Sequence, residues 1–253
     1  MAARTLVLLP LAGLVGWSGN ATLIRMRHQL QAHPGGNALE FTPGSIDDTI
    51  MDALETGDLV FFQRKLTAMQ PLAALHTWIT RLQLKSHFDH CGWVYVDRLG
   101  RKFIVEETLD KVQCRPYSAR LLTSEAIEIS ALKLKLERSN KVQEAAYNFI
   151  VENVGRSSRI SLRHTLWTLI SPEKTRQMSS DVSPLFPSAA FVAEAYDAMG
   201  LTNKNQLNDA QPPLSAAVIT PQDLLARKVK LQMPSAKGAK SPIFDNLIPI
   251  RLE

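Results

Sequence analysis

Runs of apolar residues bounded by turn residues predict the strands of one antiparallel sheet. The compact run DLVFFQ fits a buried strand, and later runs are separated by short turns such as Leu99-Gly100. The predicted strands cover 58–63, 88–97, 102–108, 112–117 and 126–134. The pattern therefore predicts an antiparallel sheet of about five strands.

Apolar positions repeated every three or four residues predict helices around this sheet. The predicted helices cover 45–57, 69–84, 139–155, 188–200 and 220–229. Ser45 with Asp48 forms a capping pair, and Gly200 ends the helix at 188–200. The apolar segment 159–170 fits a helix and a strand equally well. Strands followed by separate helices indicate an α+β fold.

The first forty residues predict an anchor or a targeting segment. Twenty uncharged residues lie between Arg4 and Arg25, about the length that a membrane-crossing helix needs. Only Thr5–Trp17 is strongly apolar, so a signal peptide, a mitochondrial targeting segment and a retained membrane or partner anchor are all compatible. No acidic residue precedes Glu40. We expect a retained anchor in residues 1–40, associated with the mitochondrial inner membrane or with another membrane compartment.

The C-terminal residues predict an arm. Residues 224–244 contain five basic residues and no acidic one, and residues 243–253 become apolar again. A basic connector that ends in an apolar segment is typical of a chain reaching a neighbouring subunit, and packing on its own domain is the alternative. The expected organisation is an anchor (1–40), a globular domain (41–232) and an arm (233–253).

Composition and charge limit the kinds of binding partner that we expect for this protein. The 253-residue chain is 45% hydrophobic and carries 29 basic against 24 acidic residues, a net charge of +5 that favours anionic surroundings. It has no helix-turn-helix, zinc-finger or aromatic RNA-binding signature, so we expect no direct binding to nucleic acid. The two cysteines, Cys91 and Cys114, form neither a disulfide framework nor a metal cluster, and we expect no cofactor.

Several short motifs occur in an order that resembles a known superfamily. They are TGDLVFF (56–62), DHCGWV (89–94), IVEET (104–108), SAAFVAEAYDAMGL (188–201) and TPQDL (220–224). This order resembles the permuted branch of the papain-like NlpC-type superfamily, which includes bacterial cell-wall amidases and lecithin:retinol acyltransferase-like enzymes. The resemblance implies a permuted papain-like fold for roughly residues 45–230.

The resemblance also assigns site residues. His90 would be the base, Glu106 would orient its imidazole, and Gly57-Asp58 would mark the first strand. Ser188 stands where the superfamily has its nucleophilic cysteine. In such a site a helix N-terminus and an imidazolium keep the thiol ionised, whereas a serine hydroxyl must lose its proton during attack.

These changes predict a pseudoenzyme. Ala189 and Ala190 follow Ser188 where the superfamily often has polar residues, so three polar positions are simplified together. We expect a non-catalytic accessory or scaffold subunit of a membrane-associated, mitochondrial complex, contacting other subunits through residues 1–35 and 243–253. The alternative is a hydrolase or acyltransferase acting on amide or ester bonds with Ser188 as nucleophile and His90 as base.

Each site residue also has a structural interpretation. Ser188 suits a helix N-cap, and His90 suits a strand histidine with one hydrogen-bond partner. Glu106 and Glu107 would be surface carboxylates at a strand end. Cys91 adjoins His90 on a strand, and alternation directs the two side chains to opposite faces.

Overall fold

The chain folds as an α+β protein around one antiparallel sheet. The computed structural model describes residues 13–24, 26–27, 39–159, 184, 186–202, 219–229, 231 and 243–252, without the side chains of residues 83, 84 and 243. The strands are β1 (Leu59–Arg64), β2 (His90–Val96), β3 (Lys102–Glu107), β4 (Val112–Pro116), β5 (Ala126–Lys135) and β6 (Ile243–Ile250). Their order across the sheet is β4-β3-β2-β1-β5-β6, and every neighbouring pair is antiparallel.

Helices lie at the five positions that the periodicity predicts, and one further helix, Tyr117–Leu122, was not predicted. They are α1 (Ile46–Ala53), α2 (Pro71–Leu84), α3 (Tyr117–Leu122), α4 (Asn140–Asn153), α5 (Pro187–Ala198) and α6 (Pro221–Leu225). Residues 13–24 are also helical and are called the N-terminal helix. Ser45 caps α1, and Thr220 forms a capping box with Asp223 at α6. Most of the ambiguous segment, 160–170, lies outside the described residues.

The two faces of the sheet carry separate cores. On one face, Phe61, Cys91 and Trp93 pack with the buried residues of α4 and α5. On the other face, Phe62 and Val94 pack with α1, α3 and neighbouring strands. Because side chains alternate along a strand, adjacent residues such as His90 and Cys91 face different layers.

The sheet has a sixth strand that the sequence analysis did not predict. β6 pairs with β5, with Ile250 opposite Ile129, and Phe244 and Ile250 are buried. The sheet therefore has one strand more than the five predicted ones, and residues 243–250 pack on their own domain, which is the alternative to an extending arm. Burial of these apolar side chains favours the pairing, and Pro249 is tolerated because β6 is an edge strand.

Helix α2 departs from the usual arrangement of a surface helix. Of its five apolar residues with helical spacing, only Ile79 is buried. The others are exposed: Leu72, Leu75, Trp78 and Leu82. No helix in the part of the chain that the structure describes has the length and apolar character needed to span a membrane.

Candidate functional site

A buried histidine–carboxylate pair lies where β2 begins. His90 is the first residue of β2 and Glu106 lies on β3, and they are 3% and 0% exposed. Nε2 of His90 lies 2.6 Å from Oε2 of Glu106. A carboxylate only accepts hydrogen bonds, so Nε2 donates, and Nδ1 is the ring nitrogen that remains for another partner. The structure thus brings together two of the three predicted site residues.

Gly92 leaves the space in which this pair forms. A Cβ on Gly92 would lie 2.9 Å from Cγ2 of Ile104, 3.0 Å from the carbonyl oxygen of Val105 and 3.1 Å from Cβ of Glu106. Gly92 follows His90 by two residues, on the same side of β2. The Glu106 side chain therefore passes over Gly92, which has no side chain, to reach the imidazole of His90.

Replacing Gly92 by Ala should lower the free energy of unfolding by about 1–3 kcal/mol, because the added methyl group overpacks the contact between β2 and β3. Urea denaturation measures the change. The matched control is Gly16→Ala in the N-terminal helix, where a Cβ would meet no atom within 4 Å. Equal stability of the two variants would contradict this account of Gly92.

Two arginines keep Glu106 ionised. Nε and Nη2 of Arg120 donate to Oε1 and Oε2 of Glu106 at 2.5 and 3.0 Å, and Nη2 of Arg115 also donates to Oε1. Burial by itself raises the pKa of Glu106, but Arg120, Arg115 and the hydrogen bond from His90 hold this pKa well below its usual range. The interpretation of Glu106 as a surface carboxylate is therefore wrong.

Glu107 is also buried, at 1% exposure. Its carboxylate accepts hydrogen bonds from the backbone N–H of Arg159 at 2.9 Å and from Nη2 of the same residue at 2.6 Å. Its interpretation as a surface carboxylate is likewise wrong. The physical reason is the same for both residues, since each carboxylate is matched by arginine donors that permit burial.

Sequence reasoning missed Arg115 and Arg120. Arg115 lies on β4, the strand next to β3, and Arg120 lies on α3 immediately after β4. Neither arginine lies in the same helix or strand as Glu106, so residue spacing within one element does not predict the contact. The usable signal was the pair of arginines in RPYSAR, which begins on the strand after the one that carries two adjacent acids, since a buried carboxylate requires a cation.

The surroundings of His90 favour the neutral imidazole. Its ring packs on Phe62 with 5.7 Å between centroids, and the Arg120 guanidinium lies 4.2 Å from the centroid of the same phenyl ring. Burial lowers the pKa of His90 more than its contact with Glu106 raises it. A neutral imidazole can act as a general base, but it does not supply the positive charge that keeps a thiolate ionised.

Ser188 is the second residue of α5. Pro187 is the first residue, Phe186 is the N-cap, and no side chain caps the helix. The expectations that Ser188 begins this helix and that it caps the helix are therefore wrong, by one and by two positions. Proline is favoured at the first helical position because its ring fixes φ near the helical value.

The Ser188 hydroxyl lies against Cys91. Its Oγ accepts a long hydrogen bond of 3.4 Å from the backbone N–H of Cys91, and Sγ of Cys91 lies 4.0 Å away. Ser188 is 3% exposed. Among the hydrogen bonds between described residues, none joins Ser188 to His90. Ala189 and Ala190, which follow it, are buried in the core shared with the sheet.

Ser188 and His90 nevertheless line the same cleft, which has a volume of about 290 Å³ including space open to solvent. Asp89 and Arg64 form part of its wall. Oδ2 of Asp89 lies 2.7 Å from Nε of Arg64, and Oδ1 lies 3.0 Å from Nη2 of Arg81. The two arginines hold the pKa of Asp89 below its usual range although burial raises it. The sequence analysis missed this cluster.

His76 of α2 also lines the cleft. It is 4% exposed, and its Nε2 is buried without a hydrogen-bond partner among the described residues. Burial, assisted by Arg64, lowers the pKa of His76 to about 4, and Asp89 offsets part of this effect. His76 is therefore neutral near neutral pH. Its inward position could not be read from the sequence, because its neighbours in α2 are apolar.

Neither cysteine is placed to act as an ionised nucleophile. Burial raises the pKa of Cys91 far above its usual value, and it raises the pKa of Cys114 to about 11. Cys91 faces α5 and His90 faces the opposite side of the sheet, as alternation predicts. Within the described residues, no group of three His, Cys, Asp or Glu side chains could hold a metal ion.

No protein-family model and no curated protein sequence matches the chain. Among solved structures, the crystal structure of the metalloprotein yiiX from Escherichia coli O157:H7 is similar at 15% identity and a TM-score of 0.37. The match covers 76% of this chain and 97% of the other. This likeness is too distant to support a conclusion about family or function.

Proposed function

We propose that this chain is a non-catalytic member of the permuted papain-like NlpC-type superfamily and an accessory or scaffold subunit of a membrane-associated, mitochondrial complex. One observation carries the proposal. The Ser188 hydroxyl hydrogen-bonds to the backbone of Cys91, while His90 is held by Glu106 and makes no hydrogen bond to Ser188. The order of a His-x-Gly strand, a carboxylate on the next strand and a late helix next to them supports the superfamily.

The chemistry of these groups supports the loss of catalysis. A serine hydroxyl attacks a carbonyl only if a base removes its proton during the attack, and that base must lie about 2.6–3.2 Å from the oxygen. His90 is neutral and therefore able to accept a proton, but the Ser188 oxygen makes its contacts with Cys91 instead. The adjacent Ala189 and Ala190 offer no polar side chain to a substrate.

The subunit role rests on the extensions and the surface. The N-terminal helix exposes apolar side chains such as Leu14 and Leu23, and the edge strand β6 exposes Leu247. These features lie within residues 1–35 and 243–253, the segments that we propose contact other subunits. The net charge of +5 suits an anionic membrane environment such as the mitochondrial inner membrane.

A second candidate function is hydrolysis or acyl transfer at an amide or ester bond. Its supporting observation is that Ser188 and His90 line one cleft. In this mechanism Nδ1 of His90 would accept the proton of the Ser188 hydroxyl. Backbone N–H groups at the start of α5 would stabilise the oxyanion.

We expect the purified protein to show no turnover of activated esters or peptide amides above that of Ser188→Ala. A fluorophosphonate probe should likewise label both proteins equally, because no base activates the hydroxyl. Turnover or labelling that disappears only in Ser188→Ala would overturn the proposal and establish the second candidate. Ser188→Cys, treated with an iodoacetamide probe, shows whether the rest of the site can still activate a nucleophile.

The same Ser188→Ala variant tests the subunit role. Tagged wild-type and variant chains, expressed in the cells of origin, are purified under native conditions and their co-purifying subunits are quantified. We expect the same subunits in the same ratio for both, because assembly does not use the hydroxyl. Purification of the wild-type chain as a lone monomer would contradict the subunit role.

A further inference from the structure

Helix α2 exposes apolar side chains and buries polar ones, which is the reverse of a helix on the surface of a water-soluble protein. Among residues 71–82, the exposed residues are all large and apolar: Leu72 at 62%, Leu75 at 45%, Trp78 at 49% and Leu82 at 59%. Its buried residues include His76, Thr77 and Thr80. A helix that faces water normally shows the reverse arrangement, with its apolar stripe toward the core.

Polar contacts beneath α2 fix this orientation. Arg81 of α2 donates to Oδ1 of Asp89 at 3.0 Å and to the carbonyl oxygen of Arg64 at 2.6 Å. Arg64 in turn donates to Oγ1 of Thr77 at 3.3 Å. Rotating α2 to bury its leucines would expose this buried ionic cluster and break its hydrogen bonds. The outward position of the apolar residues is thus a property of the fold.

The N-terminal helix extends the same arrangement. Oγ of Ser18 donates to Oε1 of Gln70 at 2.9 Å, and Nε2 of Gln70 donates to Oγ1 of Thr22 at 3.0 Å. Gln70 is the N-cap of α2, so these bonds join the two helices. The exposed large apolar residues here are Leu14, Val15 and Leu23 in the N-terminal helix and Met26 shortly after it. Polar side chains between helices and apolar side chains outside are typical of helices in lipid.

The two segments that carry these helices are basic, and the nearby acids Glu125 and Glu128 pair with Lys65 and His87. Residues 1–39 and 64–88 contain no Asp or Glu. Arg27, beyond the N-terminal helix, and Lys85, at the C-cap of α2, are exposed. Basic residues beside an apolar helix face are attracted to the anionic headgroups of a bilayer.

We propose that the outward residues of α2 and of the N-terminal helix form one membrane-inserting face, which lies in a single leaflet of an anionic bilayer. This face consists of Leu14, Val15, Leu23, Met26, Leu72, Leu75, Trp78 and Leu82. The 14 residues of α2 span about 21 Å, less than the ~30 Å hydrocarbon layer, so α2 lies along the interface. The inference rests on the proposed membrane-associated role and names the surface that provides it.

Lipid explains the observations better than a protein partner does. Trp78 lies in the middle of the outward stripe, and tryptophan is favoured at the bilayer interface. The basic residues flank the apolar residues, so both could contact one anionic bilayer surface. A bilayer requires no shape complementarity, so exposed apolar side chains are sufficient for insertion.

Flotation of the full-length protein with lipid vesicles tests the proposal. We expect the protein to float with vesicles of phosphatidylcholine and phosphatidylglycerol, and more weakly with phosphatidylcholine alone. Replacing Leu72, Leu75, Trp78 and Leu82 by Gln should reduce binding more than tenfold, because the inserted apolar area is lost. Replacing Arg27 and Lys85 by Gln should each weaken binding to the anionic vesicles about fivefold.

A matched control carries the same chemical change elsewhere. Ile127, Tyr147 and Val151 are exposed at 63%, 52% and 63% and lie on β5 and α4. Their triple replacement by Gln should leave vesicle binding unchanged. Circular dichroism and urea denaturation of all variants confirm that loss of binding is not loss of folding.

Tryptophan fluorescence gives the position of the face. Lipids brominated on their acyl chains should quench the wild-type protein more strongly than Trp78→Phe, because only the wild type places an indole at position 78 in the leaflet. Absence of vesicle binding, or equal binding by the Gln variant of α2, would overturn the proposal. So would a dimer that this variant abolishes in the absence of lipid. None of these outcomes bears on turnover through Ser188, so the non-catalytic assignment is tested separately.

Discussion

Replacing Glu106 by Gln should lower the free energy of unfolding by about 3–5 kcal/mol, the usual cost of removing one partner from a buried ion pair. The Glu106 carboxylate is fully buried and accepts hydrogen bonds from Arg120, Arg115 and His90. The side chain of Arg120 is only 9% exposed, so its charge would remain in the interior without compensation. Urea denaturation at neutral pH measures the loss.

The control is Glu128→Gln. The side chain of Glu128 is 41% exposed and lies 2.8 Å from Nε2 of His87, so it makes the same type of contact at the surface. Its replacement should change stability by less than about 1 kcal/mol. A double-mutant cycle with Arg120→Met should show strong coupling to Glu106. If both glutamate variants were equally stable, the buried network would not contribute to folding.

This network gives His90 and Glu106 a structural role that does not depend on any catalytic activity. Glu106 neutralises two arginines, and Arg120 covers Phe62, which belongs to the core below α3. Loss of the carboxylate would therefore affect folding as well as any chemistry. Among the described residues, the Ser188 hydroxyl hydrogen-bonds only with Cys91, so its replacement should cost less stability.

The elements of the sheet could be predicted where their determinants are local. The strands from β2 to β4 follow one another with short turns, so alternation and turn residues are sufficient to place them. β6 could not be placed in this way. It pairs with β5 across more than a hundred residues of chain, with Ile243 opposite Lys135, and no local pattern specifies such a partner.

The candidate site, too, could be predicted only where local sequence patterns determine it. His90 and Glu106 could be proposed from short motifs, but Arg120 reaches Glu106 only through the tertiary arrangement of α3 and β3. For α2, periodicity identifies an apolar stripe and does not say which way the stripe points. The stripe faces outward because the space beneath α2 holds the buried ionic cluster of Asp89, which polar side chains match better.

The protein should lose stability on acidification from about pH 6.5 to pH 4, before most carboxylates titrate. The pKa of His76 is lowered to about 4 in the folded state, by burial and by Arg64. Between the folded and unfolded pKa values, the unfolded chain binds a proton at His76 and the folded chain does not. The stabilisation is therefore complete above the unfolded value, near 6.5, and is lost as the pH falls. The loss from His76 amounts to about 3 kcal/mol. The pKa of His90 is also lowered by burial, so His90 acts in the same direction.

The variant His76→Leu isolates this contribution. Asp58, whose pKa burial raises, acts in the opposite direction over part of the same range, so the quantity to compare is the difference between variant and wild type. Urea denaturation at several pH values measures the free energy of unfolding of both proteins. The value for His76→Leu should rise relative to the wild type by about 3 kcal/mol as the pH falls from 7 to 4. His87→Gln, at an exposed position, should retain the acid loss of the wild type. If His76→Leu and the wild type lost stability in parallel, His76 would not be held neutral by the fold. The acid sensitivity would then arise from other groups such as His90.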